Sequence, residues 1–157
     1  MSEPGDIAAF DGFIEAWRTD LEQRAFVRFE TGTLPHEPLT PVGKADAFAQ
    51  SFGFQPIGFN WEMLDPGRDM TAPRSARATL VEALSKDLAR PSLSWLSEDR
   101  ALACADEFLS LFEEGEGTIL TNHLNGLWYP ISGASDEWSF VGMDTRLIVL
   151  LVLASRP

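Results

Sequence analysis

The chain has one cysteine, Cys104, which excludes an intramolecular disulfide and a cysteine-built zinc site, and with them the stapled scaffolds of small secreted proteins. Histidine is almost as scarce. His36 and His123 are the only two, and neither stands in an HxxxH, HExxH or DxDxDG setting, so no metal and no other cofactor is expected. The GxSxG elbow, the GxGxxG turn and the GxxxxGK[ST] loop are missing, and with them the common signatures of hydrolases and nucleotide binders. Long apolar runs are missing too. The longest, Leu147 to Ala154, falls far short of the about 20 residues that span a bilayer as a helix. The opening Ser2-Glu3-Pro4-Gly5-Asp6 lacks the basic and apolar pattern of a secretory signal. A cytoplasmic location is the resulting expectation.

Positive charge is also in short supply. Twelve Lys and Arg face twenty-four Asp and Glu, a formal net charge of −12. Residues 1–50 hold nine acids and four bases and residues 101–157 hold eight and two, so the acidity lies at both ends. Such a field repels phosphate backbones and anionic bilayers, and neither nucleic acid nor a membrane is expected as a partner. It attracts a basic protein, a polyamine or a metal cation, although solubility alone is a sufficient reason for it. No feature sets an oligomeric state.

Apolar material is plentiful: 45% of the 157 residues are hydrophobic, with eleven Phe and five Trp. That suits one hydrophobic core and a single globular domain over 1–157. Ile7, Phe10, Ile14, Trp17 and Leu21 recur every three or four positions, which predicts a helix capped by Asp6 and running to about Phe26. Thr31-Gly32-Thr33 and the prolines from Pro35 to Pro41 read as a loop. A helical turn at 43–51 and a strand near 57–63 follow. Ala76, Leu80, Leu84 and Leu88 mark a helix that ends before Pro91, and Ser97 caps another with Leu102, Ala105, Leu109 and Phe112 on its stripe.

From Thr118 onward the period changes. Residues 118–122, 127–131, 137–142 and 146–154 read as four strands in a meander. The last does not alternate, so both its faces must be covered and a further strand, 57–63, is expected along its free side. The expected fold class is α+β, with about three main helices packed on a mostly antiparallel four- or five-stranded sheet that ends in a C-terminal β-meander.

Two classes of function compete. Glu113, Glu114 and Glu116 crowd the C-terminal end of a helix, where each carboxylate opposes the dipole by ~0.3–1 kcal/mol. With Asp106 and Glu107 they form a candidate face for a basic protein, as an inhibitor or immunity-type partner would present, set against the plainer reading of a solvated turn. The alternative is a small-molecule-binding protein or minor enzyme. Phe54, Phe59, Trp61 and Trp128 are its candidate cleft, although aromatic rings usually complete a core. His123 sits at a predicted hairpin tip that a flat meander places at the same end as Asp144, so an imidazole and a carboxylate could meet there as general-base chemistry requires. A solvated turn histidine is the simpler alternative. Cys104 lies on an apolar helical arc and reads as a buried, inert thiol. Arg68, Arg74 and Arg77 form the one basic cluster, to neutralise neighbouring acids or to hold an anion. Without a catalytic motif, the interaction class leads.

Overall fold

The computed structural model describes residues 4–34, 36, 40–90, 92–112, 117–124 and 127–155. Its elements run α1 (Pro4–Glu22), β1 (Phe26–Thr33), α2 (Pro41–Ser51), a 3-10 turn (Gly58–Asn60), β2 (Glu62–Leu64), α3 (Ala76–Ser85), α4 (Glu98–Leu109), β3 (Thr118–Thr121), β4 (His123–Leu124), β5 (Leu127–Trp128), β6 (Glu137–Met143) and β7 (Leu147–Ala154). The class is α+β: a five-stranded sheet in the order β1-β7-β6-β3-β2, antiparallel at every pairing, with helices on both faces.

The apolar run of β7 accounts for the layering. Leu147, Val149, Leu151 and Leu153 turn to one face and pack with Phe13 and Trp17 of α1, Leu80 and Leu84 of α3, and Phe108 of α4. Ile148, Leu150, Val152 and Ala154 turn to the other and meet Ala45, Phe48 and Ala49 of α2, together with Trp61 and Ile131. Every residue of the strand is buried, and each large aliphatic side chain so removed from water contributes about 1.5–3 kcal/mol.

Four α-helices, rather than three, stand among the described residues. The additional one is α2, where only a short turn was expected. Thr40 caps it by accepting a hydrogen bond from Gly43 N at 3.1 Å, and Pro41 in its first turn has a fixed φ already suited to a helix. Other boundaries move as well. The first helix begins at Pro4, which leaves Asp6 within its first turn. It stops at Glu22, and Phe26–Thr33, expected as helix end and loop, is strand β1. β1 fills the free side of β7 in place of 57–63, because all eight of its residues register with the eight of β7. The shorter β2 pairs instead with β3 at the opposite edge.

The expected meander is broken at one point. Residues 127–131 do not enter the main sheet, and β3 pairs directly with β6, Thr118 opposite Met143 and Thr121 opposite Phe140. Asn122 is responsible. Its main-chain N–H donates to Ser139 O at 3.2 Å, but its carbonyl turns away to accept from Tyr129 N at 3.0 Å. Its side-chain Oδ1 takes over the vacated ladder position and accepts from Ser139 N at 2.7 Å. The chain therefore leaves the sheet at Asn122 and makes the small β4–β5 hairpin, with His123 opposite Trp128.

Candidate functional site

The hairpin is anchored by a carboxylate. Glu137, at the start of β6, is 1% exposed, and five donors converge on it. Oε2 accepts from Asn122 Nδ2 at 2.6 Å, Ile131 N at 2.9 Å and Ser139 Oγ at 2.8 Å. Oε1 accepts from Ser132 N at 2.8 Å and from the Ser132 hydroxyl. One side chain thus ties the departure point of the hairpin, its return segment and β6 together, and satisfies main-chain groups that lost their ladder partners.

The next residue of β6, Trp138, points to the opposite face, as strand alternation requires. There it stacks on His123, with ring centroids 3.7 Å apart and planes 22° from parallel. A cavity of about 240 Å³ adjoins this stack, and Trp128 is its third ring. The facing wall comes from the end of α3 and the loop after it, which bring Glu82, Lys86 and Asp87, while Asp136 approaches from the β6 side. That loop is braced. Asp87 N donates to Leu93 O at 3.0 Å and Trp95 N to Ser85 O at 2.9 Å. The Asp87 carboxylate accepts from Ala89 N and Arg90 N and pairs with Arg24 at 3.3 Å.

The cavity wall is electronegative. Three acidic residues, Glu82, Asp87 and Asp136, line it against the ammonium of Lys86, 3.7 Å from Glu82, and the Arg24 guanidinium paired with Asp87, while the Glu137 carboxylate lies on the other face of β6. Burial holds the His123 imidazole below its ordinary pKa, and the negative charge of Glu82 offsets only part of that. The ring is therefore neutral at pH 7, and its Nδ1 is buried without a hydrogen-bond partner. A neutral imidazole nitrogen left unpaired in this way costs about 1–3 kcal/mol. A second, wider hollow of about 530 Å³ lies beside α3, lined by Val81, Leu93, Leu96 and several serines, with no aromatic ring in its wall.

The residues expected to form a site are dispersed. Asp144 does not meet His123. Because 127–131 leaves the sheet, β6 runs opposite to the direction a four-strand meander gives it, and the β6–β7 turn falls at the far end. Six residues separate Trp138 from Asp144, about 20 Å along a strand. Asp144 instead shapes that turn, accepting from Arg146 N at 2.8 Å and Leu147 N at 3.1 Å and pairing with the Arg146 guanidinium at 2.8 Å. The aromatic cleft divides likewise. Trp61 is buried on the α2 face and donates Nε1 to Asp46 at 2.8 Å. Phe54 lies 5.4 Å from the guanidinium of Arg28, and Phe59 is 96% exposed on the 3-10 turn. Of the four rings only Trp128 joins His123.

Asp106 and Glu107 are engaged within the chain. Arg77 grips Asp106 through Nε at 2.8 Å and Nη2 at 3.0 Å, with Arg68 at 3.5 Å. This hydrogen-bonded guanidinium keeps the carboxyl below the usual carboxylate range. Glu107 accepts from Trp17 Nε1 at 2.6 Å, and Arg74 lies 3.4 Å from Glu62. Glu113, Glu114 and Glu116 fall outside the described residues. Comparison with known proteins gives no matching family model, no matching curated protein and no matching solved structure. Among the described residues, no group of three or more His, Cys, Asp and Glu is placed to hold a metal ion, and no helix is long and apolar enough to cross a membrane.

Trp138, Glu82, Asp87 and Asp136 were not singled out from the sequence. A Trp on an alternating strand carries no mark of a pocket, Asp136 reads as one polar residue of the turn before β6, and Glu82 and Asp87 come from a segment more than thirty residues before His123 that only the tertiary fold brings in.

Proposed function

We propose that the protein binds a compact organic cation in the cavity between α3 and the β4–β5 hairpin. The observation that carries this reading is the composition of the lining: the aromatic residues His123, Trp128 and Trp138 together with the acidic residues Glu82, Asp87 and Asp136. Ring faces attract an ammonium within about 6 Å of the centroid, by up to about 2 kcal/mol once water is displaced. The neutral imidazole supports the reading, since an imidazolium there would repel the ligand. Volume bounds the ligand: an apolar cavity of about 150 Å³ admits benzene, so about 240 Å³ suits one ring or a branched alkyl group with a short ammonium arm. Here the acidity of the chain acts at the rim of a cavity rather than as a docking face for a basic protein. The reading is one of binding, and the pairing of His123 with Asp144 plays no part in it, since Asp144 lies at the other end of β6.

The test uses three ligands of one size and different charge: benzylammonium, benzyl alcohol and benzoate, titrated by calorimetry and tryptophan fluorescence. Benzylammonium is expected to bind best and benzoate least, with Trp138→Ala abolishing the difference. Equal affinities, or preference for benzoate, would overturn the assignment.

A further inference from the structure

The two edges of the sheet differ. β2, at one edge, has three residues, and short edge strands offer little template for another chain. β1, at the other, has eight residues in unbroken register with β7 and contains no Pro, Lys or bulge, and its two charged residues, Arg28 and Glu30, are of opposite sign. No strand among the described residues covers its outer side.

The β6–β7 turn decides which main-chain groups face outward. Asp144 N donates to Leu147 O at 3.1 Å, and hydrogen-bonded and non-bonded pairs alternate along an antiparallel ladder. The odd-numbered residues of β7 therefore bond towards β6 and the even-numbered ones towards β1. Those even residues register with Phe26, Arg28, Glu30 and Gly32. It follows that Val27, Phe29, Thr31 and Thr33 direct their N–H and C=O groups to the outer edge. The hydrogen bond from Thr31 Oγ1 to Ile148 O at 3.1 Å agrees, since it requires an inward-facing carbonyl on an even residue of β7.

We propose that β1 pairs antiparallel with β1 of a second copy about a two-fold axis through Phe29, joining two five-stranded sheets into one of ten. Hydrogen bonding demands that outward-facing residues oppose one another, so the axis can shift only in whole-residue steps. At Phe29, Arg28 of each copy faces Glu30 of the other, twice, at non-bonded positions where side chains approach most closely. Placing the axis at Arg28 sets arginine against arginine, and placing it at Glu30 sets glutamate against glutamate. At Thr31 neither charge meets its opposite. Within one chain Arg28 and Glu30 already lie 3.3 Å apart with their side chains 35% and 25% exposed, so pairing closes a four-charge cluster of alternating sign.

The test is sedimentation equilibrium over a range of protein concentration, on the full chain and on variants whose folding is checked by circular dichroism. The wild type is expected to dimerise. Arg28→Glu and Glu30→Arg are each expected to weaken the dimer at least about tenfold through like charges set face to face, and the double reversal to restore it. Thr31→Pro removes an outward N–H and the side-chain bond to Ile148 O while leaving the main-chain pairing with β7, and is expected to abolish association. A wild type that stays monomeric at every concentration would overturn the proposal. So would a dimer indifferent to the single reversals, or a double reversal no better than either.

Discussion

Removing the Glu137 carboxylate should cost far more than its single ion of charge suggests, because the cost falls on its donors. Glu137→Ala leaves three buried hydrogens without an acceptor, those of Ile131 N and Ser139 Oγ and one of the two on Asn122 Nδ2, whose other hydrogen keeps Tyr129 O at 3.0 Å, and an unsatisfied buried donor costs about 1–3 kcal/mol. The expected loss is about 3–9 kcal/mol, set against total stabilities of about 5–15 kcal/mol. Glu137→Gln is the informative contrast. A glutamine oxygen in the Oε2 position keeps all three buried bonds. Its amide then faces Ser132, an exposed residue at which water can replace the lost acceptor. The remaining loss is that of charge assistance in the retained bonds, about 1–3 kcal/mol. Urea unfolding followed by far-ultraviolet circular dichroism measures both. Wild type, Gln and Ala should fall in that order of stability, with Ala close to unfolded in water. If Ala lies within about 1 kcal/mol of wild type, the carboxylate does not hold the hairpin and the reasoning fails.

Gly142→Ala should destabilise the sheet by about 1–3 kcal/mol through overpacking, because a Cβ at that position would stand 2.2 Å from the ring of Phe112; chemical denaturation measures the loss, and Phe112→Leu should recover part of it. Cys104 is fully buried, and burial first and the nearby Glu107 charge second push its thiol pKa well up, so labelling by a disulfide reagent should await global unfolding; rapid labelling of the native protein would contradict this. Burial depresses the His123 pKa in the fold, so the unfolded chain takes up its proton first: the stability that His123 contributes is complete above about pH 6.5 and is lost as pH falls through the lower folded value. His123→Gln should flatten that part of the stability profile.

Local signals carried the parts of the fold that local physics decides. α4 starts where Ser97 predicts, its hydroxyl accepting from Arg100 N at 3.2 Å, and the spacing of Phe10, Trp17 and Leu21 marks the buried face of α1. The unbroken apolar run of β7 implied two covered faces and an inner position, and both hold. The errors sit where distant segments decide. Val27, Thr31 and Thr33 are β-prone, yet β1 exists because β7 lies more than a hundred residues on, and the stripe of α1 extended naturally into Phe26. The meander failed at one residue, since nothing local announces that the side-chain amide of Asn122 will stand in for its own carbonyl. That substitution reverses the sense of β6 and separates His123 from Asp144. His123 and Trp128 were recognisable as interesting residues, but their acidic surroundings come from α3, its following loop and Asp136.

The most direct test of the cavity is a titration of the isotope-labelled protein with benzylammonium, observed through its histidine and indole resonances. The chain has two histidines, and His36, which is exposed and outside the cavity, is an internal control. Saturable shifts of the His123 ring and of the Trp128 and Trp138 indoles, with His36 unmoved, are the predicted result. If the cavity resonances stay still, or if both histidines shift together without saturation, the cavity does not bind the cation and the central claim is wrong.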